Sequence, residues 1–107
     1  MFVSRRLLQA CRITLFTRDN CGLCAQAKSV LSKVWDRRPF AYKEVNLALP
    51  ESRPWRELYD FDIPVIHVNK SEDAEEAVKS AAKTVKLMHS FTVEQVEAKM
   101  DQVERRG

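Results

Sequence analysis

A chain of 107 residues with 45% hydrophobic and 31% charged side chains is long enough for one core and too short for two, so its function is carried by a single small domain. Its net charge of +3 comes from Arg5, Arg6 and Arg12, and from residue 13 onward 15 basic residues balance 15 acidic ones, a neutral body that argues against nucleic acid as a partner. No apolar run approaches the roughly 20 residues that span a bilayer, which argues against a membrane-spanning chain.

Residues 1–11 are Arg-rich and acid-free, with Phe2, Leu7 and Leu8 able to gather on one side of a helix. Two readings stay open: a mitochondrial targeting segment, or a flexible arm ahead of a domain at 12–107 and dispensable for its fold. Cys11 is then an incidental thiol. Three cysteines and no secretory signal do not make a disulfide framework, and they fit a reducing compartment, mitochondrial or cytoplasmic.

Ile13–Thr17 is a β-branched and aromatic run that reads as a strand, followed by the turn formers Arg18, Asp19 and Asn20. From Cys21 the spacing of Leu23, Ala27, Val30, Leu31 and Val34 predicts a helix to about Trp35, ending before Arg38 and Pro39. Phe40–Leu47 alternates as a second strand, and Pro54 opens a short helix whose apolar side is Trp55, Leu58 and Tyr59. Ile63–Val68 reads as a third strand with Pro64 at its entrance. Residues 69–86 predict an extra helix, capped by Ser71 and with a mostly alanine apolar side, before a short fourth strand over Lys86–Phe91. Thr92 and Gln95 form a capping box for a last helix with Val93, Val96, Met100 and Val103 inward.

The chemistry concentrates at Cys21-Gly22-Leu23-Cys24, a C-x-x-C that follows a strand and opens a helix. The unpaired N–H groups and partial positive charge of a helix N-terminus stabilise a thiolate, the form that attacks disulfides. Cys21 stands there as nucleophile, and Cys24, one turn later, can attack the sulfur of Cys21 and displace a bound partner. C-x-x-C also occurs as half of a zinc site, but no second C-x-x-C or H-x-x-x-H supplies the other ligands; Cys11, His67 and His89 are scattered. Dithiol exchange is therefore favoured and no metal is expected. His67 and His89 read as strand-surface or packed histidines, and Trp35 and Trp55 as helix-end packing.

Four segments, ITLFTRDNCGLCAQAKSVL, EVNLALPE, FDIPVIHVN and KLMHSFT, resemble the glutaredoxins of the thioredoxin superfamily, in particular small glutaredoxin-like domain proteins. The resemblance implies an α/β thioredoxin/glutaredoxin-like fold with a four-stranded mixed sheet flanked by helices, here with an extra helical insertion at about 69–86. It implies a cis Ile63-Pro64 bond, a free Ile63 main chain for a substrate thiol, and Arg18 as a contact for the glutathione carboxylate. It further implies a thiol-disulfide oxidoreductase acting on protein disulfides or glutathionylated thiols through a redox-active Cys21–Cys24 disulfide, and a monomer is expected. No tightly bound cofactor is expected; glutathione is a candidate co-substrate, with weak or negligible glutathione-disulfide reductase activity expected. Asp62-Ile63 replaces the Thr-Val of the family before the proline, and HSFT replaces a Gly-Gly stretch with an acidic residue. The alternatives are a non-catalytic binding or assembly module and a glutathione-dependent iron-sulfur carrier.

Overall fold

The β-branched run CRITLFT forms β1 (Cys11–Thr17) in the computed structural model, which describes residues 10–105. The proposed arm or targeting segment lies, up to Gln9, outside the described residues. All seven residues of β1 are buried, as in a strand covered on both faces. The strand begins two residues earlier than expected and draws Cys11 and Arg12 into the fold.

Spacings of three and four place Cys24, Ala27, Leu31 and Val34 on the buried side of α1 (Gly22–Arg37). The helix ends where Pro39 disfavours a helical backbone at Arg38, whose N–H closes the last turn on the carbonyl of Val34 at 2.8 Å. After β2 (Ala41–Asn46), a 3₁₀ turn at Pro50–Ser52 leads into the short α2 (Arg53–Tyr59), with proline in its first turn as expected. β3 (Val65–Lys70), β4 (Val85–Met88) and α3 (Val93–Arg105) complete the chain. The capping box forms: Thr92 N–H donates to Gln95 Oε1 at 2.9 Å, and Gln95 N–H to Thr92 Oγ1 at 3.1 Å.

The sheet order is β2-β1-β3-β4. β1 and β2 are parallel and need a crossover, which α1 supplies; the β1–β3 and β3–β4 pairs are antiparallel. This is the mixed four-stranded sheet flanked by helices that the resemblance implies. Cys11, Ile13 and Leu15 of β1, with Ile66 and Val68 of β3, face α1 and α3, where Leu31, Val34, Val96 and Met100 close the larger core. Truncating Leu31 to Ala would cost about 2–5 kcal/mol through lost burial and the cavity left behind. The other face buries Phe16 and Val65 against Leu47, Tyr59 and Ala81, with Trp55 packed at its side.

The insertion at 69–86 departs from expectation. β3 runs on to Lys70, a turn follows in which Asp73 N–H reaches the Lys70 carbonyl at 3.0 Å, and helical backbone appears only as a 3₁₀ stretch over Val78–Lys83. An α-helix would need the carbonyls of Asp73 and Ala74 for its own ladder, but each accepts from the Arg12 guanidinium, both at 2.9 Å. Alanine side chains bury too little area to outweigh that, and Ala81 is the one residue of the 3₁₀ stretch that is buried. β4 accordingly starts at Val85 and ends at Met88, before His89, whose φ of 68° turns the chain. No helix among the described residues is long and apolar enough to cross a membrane.

Candidate functional site

β1 delivers the chain at one end of the sheet, and the turn at Arg18–Asn20, with Asn20 at φ 58°, redirects it into α1. Asn tolerates that left-handed conformation better than most residues. Cys21 is the N-cap, and its sulfur accepts the N–H of Cys24 at 3.1 Å. No acidic residue occupies the first turn to oppose a thiolate there. Cys21 and Cys24 are joined as a disulfide with their Cα atoms 5.2 Å apart. Cys21 is half-buried, whereas Cys24 is 2% exposed. A Cβ built on Gly22 would meet nothing within 4 Å, so the outer side of the pair is open.

The loop before β3 reaches the same end of the sheet, because Val65 pairs with Phe16 one residue before the end of β1. The Ile63-Pro64 bond is cis, as the resemblance implies. The Pro64 carbonyl accepts the N–H of His89 at 2.8 Å, while among the described residues no main-chain hydrogen bond in turns or loops engages Ile63. The topology thus brings Arg18, Cys21, Cys24, Ile63 and Pro64 to one end of the sheet.

Arg18 forms an ion pair with Asp60, the residue that ends α2. Its guanidinium therefore already has a carboxylate of this chain. Asp62 lies 3.9 Å from the His89 ring, and between the two acids Phe61 is 92% exposed. Leu23, inside the C-x-x-C, is also exposed. In the HSFT stretch Phe91 is buried in the core, and the N–H groups of His89 and Thr92 are spent on Pro64 and Gln95. Trp35 donates to the Phe40 carbonyl at 3.2 Å and Trp55 packs on Phe16, the helix-end packing expected of both.

Sequence reasoning missed a buried polar network on the second face of the sheet. Tyr59 Oη meets His67 Nε2 at 2.6 Å, and His67 Nδ1 meets Glu76 Oε1 at 2.7 Å. The other Glu76 oxygen accepts from Arg12 at 3.0 Å, Asn69 at 2.9 Å and Thr14 at 3.2 Å. Burial pushes the Glu76 carboxyl up, but His67 and Arg12, by hydrogen bond and charge, hold it below its ordinary value. Burial, with the charges of Glu76 and Asp62, pushes the Tyr59 phenol up to about 12, so it stays protonated beside Nε2. His67 is packed, as expected, and fully buried, whereas His89 is exposed in the turn after β4. The shared parity of Arg12, Thr14 and Phe16 on β1 was a usable signal; the partner at Glu76, across a turn, left none. A groove of about 440 Å³ lies between α1 and the edge strand β2, lined by Leu31, Trp35, Phe40 and Tyr42 among others, and includes none of the site residues.

A mixed four-stranded sheet with a C-x-x-C at the start of the helix after β1 and a cis-proline leading into β3 defines a thioredoxin-fold protein of redox type. Solved structures agree on the fold. A thioredoxin from Thermus thermophilus is 20% identical with a TM-score of 0.61, over 98% of this chain and 84% of that one. A thioredoxin-like protein from Clostridium perfringens is 17% identical with a TM-score of 0.65, over 89% and 71%, and the oxidised thioredoxin O2 of Arabidopsis thaliana is 14% identical with a TM-score of 0.59, over 95% and 87%. The model of the glutaredoxin-like domain (DUF836) matches residues 12–101, and the chain belongs to that family.

Proposed function

We propose that this domain carries out thiol-disulfide exchange on protein disulfides or glutathionylated thiols, with Cys21 attacking and Cys24 resolving. The observation that carries the reading is the asymmetry of the pair: the sulfur of Cys21 caps a helix at a half-open position, and that of Cys24 is enclosed one turn deeper. In the reduced protein the Cys21 thiolate, held by the Cys24 N–H, attacks a substrate disulfide R–S–S–R′, forms Cys21–S–S–R and releases R′–S⁻. Cys24 then attacks the Cys21 sulfur, closes the intramolecular disulfide and releases the second thiol, so two electrons pass to substrate as the pair is oxidised.

The unengaged main chain of Ile63 beside Pro64 supports strand-like docking of a substrate segment, and exposed Leu23 and Phe61 favour a protein over a small thiol. Arg18 serves as a carboxylate anchor only when its pair with Asp60 opens, which together with the committed N–H groups of His89 and Thr92 favours weak use of glutathione. The same reading places the domain in a reducing compartment, mitochondrial or cytoplasmic, where disulfides are transient and catalytic, and lets it act as a monomer because one chain supplies every group named. The test is to incubate reduced Cys24→Ser and Cys21→Ser variants with insulin. The first should accumulate a mixed disulfide through Cys21 and the second should form none; equal trapping by both would overturn the assignment.

A further inference from the structure

Thr17 ends β1 and is 4% exposed, and its hydroxyl oxygen is buried without a hydrogen-bond partner among the described residues. Its carbonyl accepts Leu47 N–H at 2.8 Å, so the orphaned atom is on the side chain. A buried hydroxyl left unpaired costs free energy, and a β-branched hydrocarbon of the same shape would avoid it.

Two ladders set which residue stands opposite Thr17. On β1, Cys11, Ile13 and Leu15 point toward α1, and alternation makes Thr17 the next member of that row. On α1 the buried row is Cys24, Ala27, Leu31 and Val34. The helix follows β1 after four residues, 18–21, and runs back along it to reach the parallel β2, so the first residue of the helical row stands at the level of the last residue of the strand row. Those residues are Cys24 and Thr17. In the oxidised protein the Cys24 sulfur is tied up in the disulfide and is a weak acceptor; on reduction it becomes a thiol or thiolate, and a thiolate is a strong, charge-assisted acceptor.

We propose that the Thr17 hydroxyl donates a hydrogen bond to the Cys24 sulfur in the reduced protein and so lowers the cost of forming the resolving thiolate. The inference rests on the exchange reaction proposed above and assigns the group that assists its second step. In that step the Cys24 thiolate forms the S–S bond to Cys21, the bond from Cys21 to the substrate sulfur breaks, and the departing thiolate takes a proton from solvent, replacing the one Cys24 gave up. Thr17 keeps its own proton throughout. Because the bond exists only in the reduced state, it favours that state and raises the potential of the couple.

The test compares wild type with Thr17→Val, Thr17→Ala and Thr17→Ser. The Cys21–Cys24 couple is equilibrated with dithiothreitol buffers and read by mass after alkylation, and Cys24 ionisation is followed by thiolate absorbance in a Cys21→Ser background. Thr17→Val should shift the equilibrium toward the disulfide about tenfold, about 30 mV in potential for a two-electron couple, and raise the pH at which Cys24 ionises. Thr17→Ala should move both readings the same way, so the test survives a Val variant that fails to fold, and Thr17→Ser should restore wild-type values. The melting temperature of the oxidised form should rise in Thr17→Val while that of the reduced form does not, which a purely structural role would not produce. Unchanged potential and Cys24 ionisation in both hydroxyl-free variants would overturn the proposal. Neither measurement needs a substrate, so failure of wild type to reduce insulin would sink the exchange reading while these readings still decide the role of Thr17.

Discussion

The main-chain N–H of Cys24 reaches the sulfur of Cys21 at 3.1 Å, so the first turn of the helix is capped by a cysteine sulfur. A cap of this kind stabilises charge on the sulfur with no side chain brought from elsewhere in the fold. Cys21 should therefore be the more acidic thiol of the reduced pair. Alkylation with iodoacetamide at mildly acidic pH, read by peptide mass, should label Cys21 before Cys24, and labelling in the reverse order would contradict the geometry.

Glutathione should be a poor partner. Arg18 already pairs with Asp60, and the N–H groups of His89 and Thr92 are spent inside the chain. A missing charge-assisted anchor of about 1.5–3 kcal/mol weakens binding roughly 10- to 100-fold. Glutathione-disulfide reductase activity in the standard coupled assay should be negligible beside turnover on a protein disulfide. Robust activity that disappears in Arg18→Ala would mean that Asp60 yields its partner to the substrate.

The network around Glu76 should set the acid limit of stability. The Glu76 carboxyl titrates lower when folded than the ordinary glutamate value of about 4.3, so its contribution is present above that pH and is lost as pH falls through the folded value. Glu76→Gln leaves the buried Arg12 without its counter-charge, at a cost of about 3–5 kcal/mol. Urea unfolding between pH 7 and 3 should show both the drop and a flatter acid limb in the variant. A full acid limb in Glu76→Gln would place the titrating group elsewhere.

Cys11 should be silent in the native protein. Burial first, then the hydrogen bond to and charge of Glu104, push its thiol up to about 12, against an unfolded value near 8.5. Stability tied to Cys11 is thus complete below about pH 8.5 and declines as pH rises above it, because the unfolded chain ionises first. Alkylation at pH 8 should modify Cys11 only in denaturant, and labelling of the folded protein would show that the start of β1 opens.

Periodicity and punctuation were enough to read much of the fold. The 3- and 4-residue spacing from Cys24 to Val34, the stop at Pro39, the capping box at Thr92 and Gln95, and the strand runs around Phe16 and Ile66 are local effects, and each element formed within a few residues of its expected limits. The C-x-x-C opens a helix by the same logic, because a helix N-terminus follows from a strand, a turn and a periodic run in order. The insertion at 69–86 did not follow from its own residues, since its helical pattern yielded to Arg12, which lies 61 and 62 residues away from the two carbonyls it takes.

What the sequence determined by itself, then, is whatever depends on neighbours in the chain: the amphipathic faces, the caps, and the pairing of Cys21 with Cys24 across one helical turn. What only the tertiary structure decided is whatever depends on charge and burial brought together across the sheet. Arg18 is taken by Asp60, Glu76 is drawn under β1 and β3 to meet Arg12 and His67, and Thr17 is left with an unpaired hydroxyl on the side of β1 that faces α1. The reason is physical: an ion pair or an orphaned polar group is a property of two surfaces meeting, and the distance along the chain between its members carries no signal of that meeting.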